Sequence, residues 1–352
     1  MEQRAIQLAR DLGVAGFLKY TVPLEFGGAR GAVQVRDLCI LREELARGDA
    51  LADTIFAVQA LGSFPIILAG SPSQKRAYLP KVARGATIAA FAITEPEAGS
   101  DPASMQTRAR RQDRHFSITG TKCFISNAGI ADFYVVFAST DPEKKAKGIS
   151  AFLLEAGAPG LRVQEKTDLL SPHPIGVLEF AGCMAGEAAL IGTEGAGLQI
   201  AFATLDKLRC TVGAAALGLA RRALEEALQY SKRRRQFGRP IAEFQGIEFK
   251  LAEMATELEA ARLLVYQAAW AHDQADSRAG MHSSMAKFYA TEAAQRIVDQ
   301  ALQIHGGSGL IAGSIMERLY RDVRALRIYE GTTEIQKVII ARELLAKSRS
   351  QN

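Results

Sequence analysis

The stretch HFSITGTKCFIS (115–126), with DFYVVFAST (132–140) behind it, decides the fold. Both runs are rich in Phe, Ile, Val and Thr and are bounded by Gly, Asn and Asp, which predicts short strands separated by turns. Four more runs share this texture: TIAAFAIT (87–94), GISAFLLEA (148–156), LRVQEKT (161–167) and IGVLEFAG (175–182). Together they predict a small antiparallel β domain over 86–196. On either side the apolar period changes to threes and fours. Residues 1–85 read as a helical domain, through VRDLCILREELARG (35–48) and SQKRAYLPKVARG (73–85), with breaks at Pro23, Gly27-Gly28, Pro65 and Pro72. Beyond Gly195 the chain is helical again. Ile247, Leu251, Met254, Leu258, Ala261, Val265 and Ala268 form the seam of a long helix, and 197–352 reads as a helical bundle. The expected class is mainly α with a β domain.

Composition narrows the functions. An apolar content of 48% with 23% charged residues excludes a disordered chain. The 43 basic against 38 acidic side chains leave +5, which admits nucleic acid, an anionic membrane surface or phosphorylated small molecules. Cys39, Cys123, Cys183 and Cys210 are scattered, so a reduced compartment such as the cytoplasm is expected rather than a disulfide framework. No His spacing suits a metal, and none is expected. The start lacks an apolar core with a cleavage site, and no run of about 18 uncharged apolar residues predicts a membrane span. The P-loop, dinucleotide fingerprint, nucleophile elbow and H-E-x-x-H patterns are missing.

Five segments carry chemistry, each with a plainer reading. FAITEPEAGSD (91–101) runs a strand into a turn whose amides and hydroxyls suit a ring edge or pyrophosphate, though Gly, Ser and Asp favour any turn. In GTKCFISNAG (120–129), Phe124 and Ser126 share a strand face, offering an aromatic surface and a hydroxyl to a flat heterocycle, or else a half-buried strand. SKRRRQFGRPI (231–241) sets cations at the end of a long helix, where they complement its dipole or clamp a phosphate. LQIHGGSGL (302–310) ends a helix in glycines that cap it or admit a ligand to the backbone. RIYEGTTEIQ (327–336) puts Glu330 at a loop-to-helix junction beside Ile328 and Tyr329. Desolvation there raises a carboxylate toward the general-base range; on the plainer reading Glu330 only points at the helix N-terminus.

Taken in order, T-E-P-x-A-G-S-D, G-T-K-x-F-I-S-N, R-x-Q-F-G-x-P-I, Q-I-H-G-G and Y-E-G-T-x-E-I-Q resemble the acyl-CoA dehydrogenase family, from about Leu8 to Leu345. The resemblance implies an N-terminal helical domain, a middle antiparallel β domain and a C-terminal four-helix bundle, in a homotetramer with one FAD per subunit. It implies that Glu330 is the catalytic base, taking the α-proton of an acyl-CoA thioester while a hydride leaves the β-carbon for the flavin. The product is a trans-2-enoyl thioester, and the electrons pass to an electron-transfer flavoprotein. Such a C–H is acidic enough only if hydrogen bonds polarise the thioester carbonyl. By the same matching, Phe91, Ile93, Thr94, Ser100, Phe124, Ile125 and Ser126 correspond to isoalloxazine and pyrophosphate contacts. Arg234, Gln236, Phe237, Gln245, Gln303, Gly306 and Gly307 correspond to contacts with the FAD of a neighbouring subunit, and Thr332 and Glu334 to contacts near its adenine end. Ser100, Asp206, Arg209 and Gly331 correspond to substrate contacts. Relatives with the base on the first bundle helix carry it at the position of Leu208, which takes no proton.

The chain departs from the family pattern at Ser171-Pro172-His173-Pro174-Ile175, where the family has R-x-S-x-T, and it begins where the family has already made its first long helix. The first departure favours a rival substrate, an acyl group on a carrier protein. Two further rivals are an oxygen-using flavin oxidase on the same fold and a non-enzymatic thioester-binding protein. A CoA thioester and FAD carry phosphates enough for the basic balance, so nucleic acid is not expected as a partner.

Overall fold

The computed structural model describes residues 1–349, with side chains as far as Ala346. In chain order the helices are α1 (Glu2–Val14), α2 (Val35–Gly48), α3 (Ala50–Ala69), α4 (Pro72–Ala83), α5 (Gly197–Arg233), α6 (Gln245–Asp273), α7 (Ala279–His305), α8 (Ile315–Ala325) and α9 (Thr333–Arg349). The strands are β1 (Ala89–Ala92), β2 (Arg108–Gln112), β3 (His115–Ser126), β4 (Phe133–Ser139), β5 (Ile149–Glu155), β6 (Leu161–Lys166), β7 (Ile175–Gly186), β8 (Leu190–Ile191), β9 (Arg235–Gln236) and β10 (Arg239–Pro240). By packing, residues 1–34 with 54–205 form one compact unit, and 35–53 with the chain from Asp206 onward form another.

In the first unit an eight-stranded sheet runs β6-β7-β3-β2-β4-β5-β8, with β1 added to β4. The six strand-like runs of the sequence are β1 and β3 to β7. The two strands not foreseen are β2, whose RARRQ is too polar to read as a half-buried run, and the two-residue β8. The expectation of purely antiparallel pairing needs correction on both sides of β4: β2 meets it in parallel, Arg108 opposite Ser139, and β1 lies parallel to β4, Ala89 opposite Phe133 through Ala92 opposite Val136. No hairpin joins these two strands, since the β2–β3 hairpin intervenes, so turn geometry does not impose their direction. All seven residues of β4 are buried, as in a strand covered on both faces.

The expected break at Pro65 is also corrected, because α3 continues through it. Buried Phe64 and Ile66 flank the proline, and their packing outweighs the lost backbone hydrogen bond. By length and composition α3 is apolar enough to cross a bilayer, yet most of it is buried inside the protein and Asp53 interrupts its apolar run.

The second unit is helical. Met254, Leu258, Ala261, Val265 and Ala268 of α6 are buried as their spacing required, against alanine-rich faces of α5 and α7. Small side chains let backbones approach. A Cβ on Gly218 of α5 would lie 2.2 Å from the Glu43 carbonyl oxygen, so glycine seats α2 directly on α5. That contact carries Arg42 to the neighbourhood of Thr211.

Candidate active site

Glu330 sits in the loop between α8 and α9. Its φ is +53°, a strained value for a residue with a β-carbon, and Gly331 follows at +89°. The Gly331 carbonyl accepts two buried donors, Lys287 Nζ of α7 at 2.6 Å and Gln336 Nε2 of α9 at 2.8 Å. Thr332 supplies the oxygen that caps α9, accepting from the Ile335 N–H at 3.4 Å. Glu330 is thus not needed as a cap, and its Oε2 is buried without a partner. Burial pushes the Glu330 pKa up; Arg42, Lys287 and Arg209 oppose the rise, and Asp53 adds to it. A desolvated carboxyl on a constrained turn has the properties of a general base.

Those surrounding charges come from four separate helices. Arg42 of α2, 3% exposed, donates to both oxygens of Asp53 at 2.8 and 2.9 Å and to Thr211 Oγ1 at 2.9 Å. The Thr211 hydroxyl itself donates to the Leu208 carbonyl, which leaves its lone pairs for Arg42. Arg209 of α5 bonds Asp206 at 2.8 Å and Ser284 at 3.3 Å, while its Nε is buried without a partner. Leu208 is buried and apolar and takes no proton. Sequence reading missed Arg42, Asp53 and Lys287. A signal existed: Val35, Leu38, Cys39, Arg42, Glu43 and Ala46 form the buried seam of α2, so Arg42 is a charge at a core-facing position. Lys287 interrupts the seam of α7 in the same way.

In this unit a cavity of about 530 Å³ is lined by Tyr230, Arg234, Gln236, Ile241, Ile304, His305, Gly306, Gly307, Ser308 and Ile311. It brings together four residues that the motifs named, Arg234, Gln236, Gly306 and Gly307. Tyr230 and His305 stack at 4.4 Å, and His305 Nδ1 donates to the Ala301 carbonyl at 2.7 Å. Nothing lies within 4 Å of a Cβ built on Gly306 or Gly307, so ligand atoms can approach the backbone there. A guanidinium, an amide, open backbone and an aromatic surface fit the phosphates and adenine of a dinucleotide. Gln245 and Gln303 are exposed and outside this lining, as is Phe237, 92% exposed with φ +51°. Thr332 and Glu334 lie at the start of α9, where the carboxyl of exposed Glu334 is held below its ordinary pKa by its own backbone N–H and by Thr332.

The first unit holds the remaining motif residues. Glu95 turns inward: its Oε1 accepts from Lys122 Nζ at 2.8 Å and from the Thr107 N–H at 2.9 Å, and its Oε2 from the Gln106 N–H at 2.5 Å. Lys122 also donates to the Ile93 carbonyl at 2.9 Å, and the Cys123 N–H to the Thr94 carbonyl at 2.9 Å. These bonds lock the turn after β1 to β3. Phe91 is buried against Phe137, ring centres 4.8 Å apart, and Ile125 is 1% exposed, so both offer a ligand only backbone. Ile93 and Thr94 are half-buried and Ser100 is exposed.

Period-two alternation alone does not describe β3. Its pairing with β7 slips between Lys122 and Ile125, and Phe124 adopts φ +54° and is 59% exposed. The bulge re-aims the aromatic side chain. Ser126 Oγ lies 3.1 Å from His173 Nε2, and His173 Nδ1 lies 3.1 Å from the Ser171 carbonyl. A carbonyl only accepts, so Nδ1 carries the proton; in the neutral ring, which burial favours, Nε2 then accepts from Ser126.

The acyl-CoA dehydrogenase N-terminal, middle and C-terminal domain families match residues 2–86, 90–183 and 195–345. An acyl-CoA dehydrogenase of Bacillus subtilis is 43% identical over 342 residues, 96% of this chain and 89% of the relative. A chain solved in work on the electron transferring flavoprotein of Acidaminococcus fermentans superposes with a TM-score of 0.93 at 38% identity, covering 96% of this chain and 89% of that one. Butyryl-CoA dehydrogenase from Megasphaera elsdenii gives 0.91 at 34% identity over 98% of both chains. A buried carboxyl in a Y-E-G-T turn, a dinucleotide-like cavity and three matched domains lead to one conclusion: this chain belongs to the acyl-CoA dehydrogenase family, FAD-dependent oxidoreductases.

Proposed function

We propose that the protein dehydrogenates an acyl-CoA thioester between its α and β carbons, with Glu330 as the base. The observation that carries this is the Glu330 carboxyl: its Oε2 is buried without a partner, and burial raises its pKa toward working pH. FAD, when bound, supplies the hydride acceptor. Arg234, Gln236, Gly306 and Gly307 hold its phosphate-bearing portion for a neighbouring subunit, with Phe237, Gln245, Gln303, Thr332 and Glu334 around it. Phe91, Ile93, Thr94, Ser100, Phe124, Ile125 and Ser126 border the ring system and pyrophosphate. Asp206, Arg209, Ser100 and Gly331 border the thioester substrate.

Exposed Phe237, Phe249, Leu263, Trp270, Leu310 and Ile311 in the helical unit support an oligomer, with a tetramer as the reading taken from the family. The likeness to the Acidaminococcus chain supports an electron-transfer flavoprotein as acceptor. Free, buried cysteines fit a reducing compartment such as the cytoplasm. His173 in the altered 171–175 loop, bonded to Ser126, favours one second reading, an acyl group delivered on a carrier protein.

The test is Glu330→Gln, which preserves shape and removes the proton acceptor. FAD and acyl-CoA binding should persist while flavin bleaching by acyl-CoA slows by about three orders of magnitude or more. Bleaching at the wild-type rate overturns the assignment. The same anaerobic assay, with CoA and carrier-protein thioesters in parallel, separates the two substrate readings.

A further inference from the structure

Three cations act on Glu330, and they differ in how they are balanced. Arg42 is matched by both oxygens of Asp53. Arg209 is matched by Asp206. Lys287 is completely buried, and the one hydrogen bond that its ammonium makes among the described residues is to the Gly331 carbonyl, with no carboxylate in ion-pair range. Glu292, a turn further along α7, is already occupied by Arg327 at 2.7 Å and by the Thr333 hydroxyl at 2.8 Å. Glu330 is therefore the carboxylate left to balance Lys287.

We propose that Lys287 is a positioning residue for Glu330, holding the turn that carries the carboxylate through the Gly331 carbonyl and presenting a buried cation to it. This rests on the reading of Glu330 as the base. Two features of the turn show why a clamp is needed. Glu330 and Gly331 both have positive φ, and the Gly331 carbonyl is the point where α7 and α9 grip them, through Lys287 and Gln336. The Gln336 amide is neutral, so the charge comes from Lys287 alone. Burial pulls the Lys287 pKa down to about 8, and Glu330 contributes most against that fall, with Glu292 and Glu334 adding to it and Arg209 opposing. Around the pair stand Arg42 and Asp53 from α2 and α3, Asp206 and Arg209 from α5, Glu292 from α7, Arg327 and Tyr329 from the α8–α9 connection and Glu334 from α9. Of these, Arg42 pairs with Asp53, Arg209 with Asp206 and Arg327 with Glu292.

The test compares Lys287→Met, which removes donor and charge, with Lys287→Gln, which keeps a donor and removes charge, both as FAD-loaded enzyme. Infrared difference titration follows the Glu330 carboxyl, with Glu330→Gln as the blank. The ionisation midpoint should rise by about one pH unit or more in both variants, since loss of a nearby opposite charge disfavours the carboxylate. The acid limb of kcat/KM, measured with the straight-chain acyl-CoA that bleaches the flavin fastest, should move by the same amount. In the Gln variant the plateau above that limb should stay within about threefold of wild type, whereas the Met variant should also lose plateau activity. An unmoved midpoint overturns the proposal, as does a uniform fall in activity with the limb in place. If Lys287→Met does not assemble, the Gln variant alone decides. Failure of the base assignment is seen separately, as undiminished bleaching in Glu330→Gln.

Discussion

Replacing Glu95 by Gln should destabilise the β-sheet unit by roughly 3–5 kcal/mol, the range for breaking a buried ion pair by removing one partner. The structure explains the size. The side chains of Lys122 and Glu95 are 0% and 4% exposed, and all three groups facing the carboxylate are donors: Lys122, Gln106 N–H and Thr107 N–H. A carboxylate satisfies them from two oxygens. An amide has one oxygen, so either orientation sets its NH2 against another donor, an unsatisfied buried group that alone costs about 1–3 kcal/mol.

The pH dependence gives a second readout. Burial brings the Lys122 pKa down to about 8 despite Glu95, and without Glu95 it falls further. The unfolded chain then binds a proton that the folded variant does not, so the variant gains stability with rising pH and its deficit shrinks toward pH 8. On the acid side, Lys122 and backbone donors outweigh burial and hold Glu95 below its ordinary value of 4.5. The wild type therefore loses this contribution as pH falls below 4.5, and the deficit shrinks there too. Urea unfolding followed by circular dichroism at pH 4, 6 and 8 measures all three points. A deficit under about 1 kcal/mol at pH 6, typical of an exposed pair, refutes the reasoning.

Two further perturbations probe the helical unit. Arg234→Ala should lower FAD content and weaken assembly together, because Arg234 lines the dinucleotide-like cavity beside the exposed Phe237 hairpin; flavin absorbance per chain and sedimentation check it, and unchanged values of both count against the assignment. Gly331→Ala should cut turnover at least about tenfold with FAD retained, since φ is +89° and the new methyl lies 2.6 Å from Gln336 Nε2; wild-type rates would mean the turn is not constrained.

The strand texture of HFSITGTKCFIS was readable from residue types, and β3 spans that run from end to end. So was the α6 seam, because a helical period reports which side faces a core. Local pattern does not say which strand lies alongside which, and hence the parallel β1–β4 pair and the bulge at Phe124 came only with the folded sheet. The Y-E-G-T turn placed Glu330, and the motif order pointed to the family. What the linear order could not convey was the company Glu330 keeps. Arg42, Arg209 and Lys287 are far apart in the chain; the motif comparison named Arg209 as a substrate contact, and nothing in the linear order ties Arg42 or Lys287 to Glu330. Burial and proximity turn them into one electrostatic site, since charges interact strongly only where water is excluded, and exclusion is a property of the packed helices.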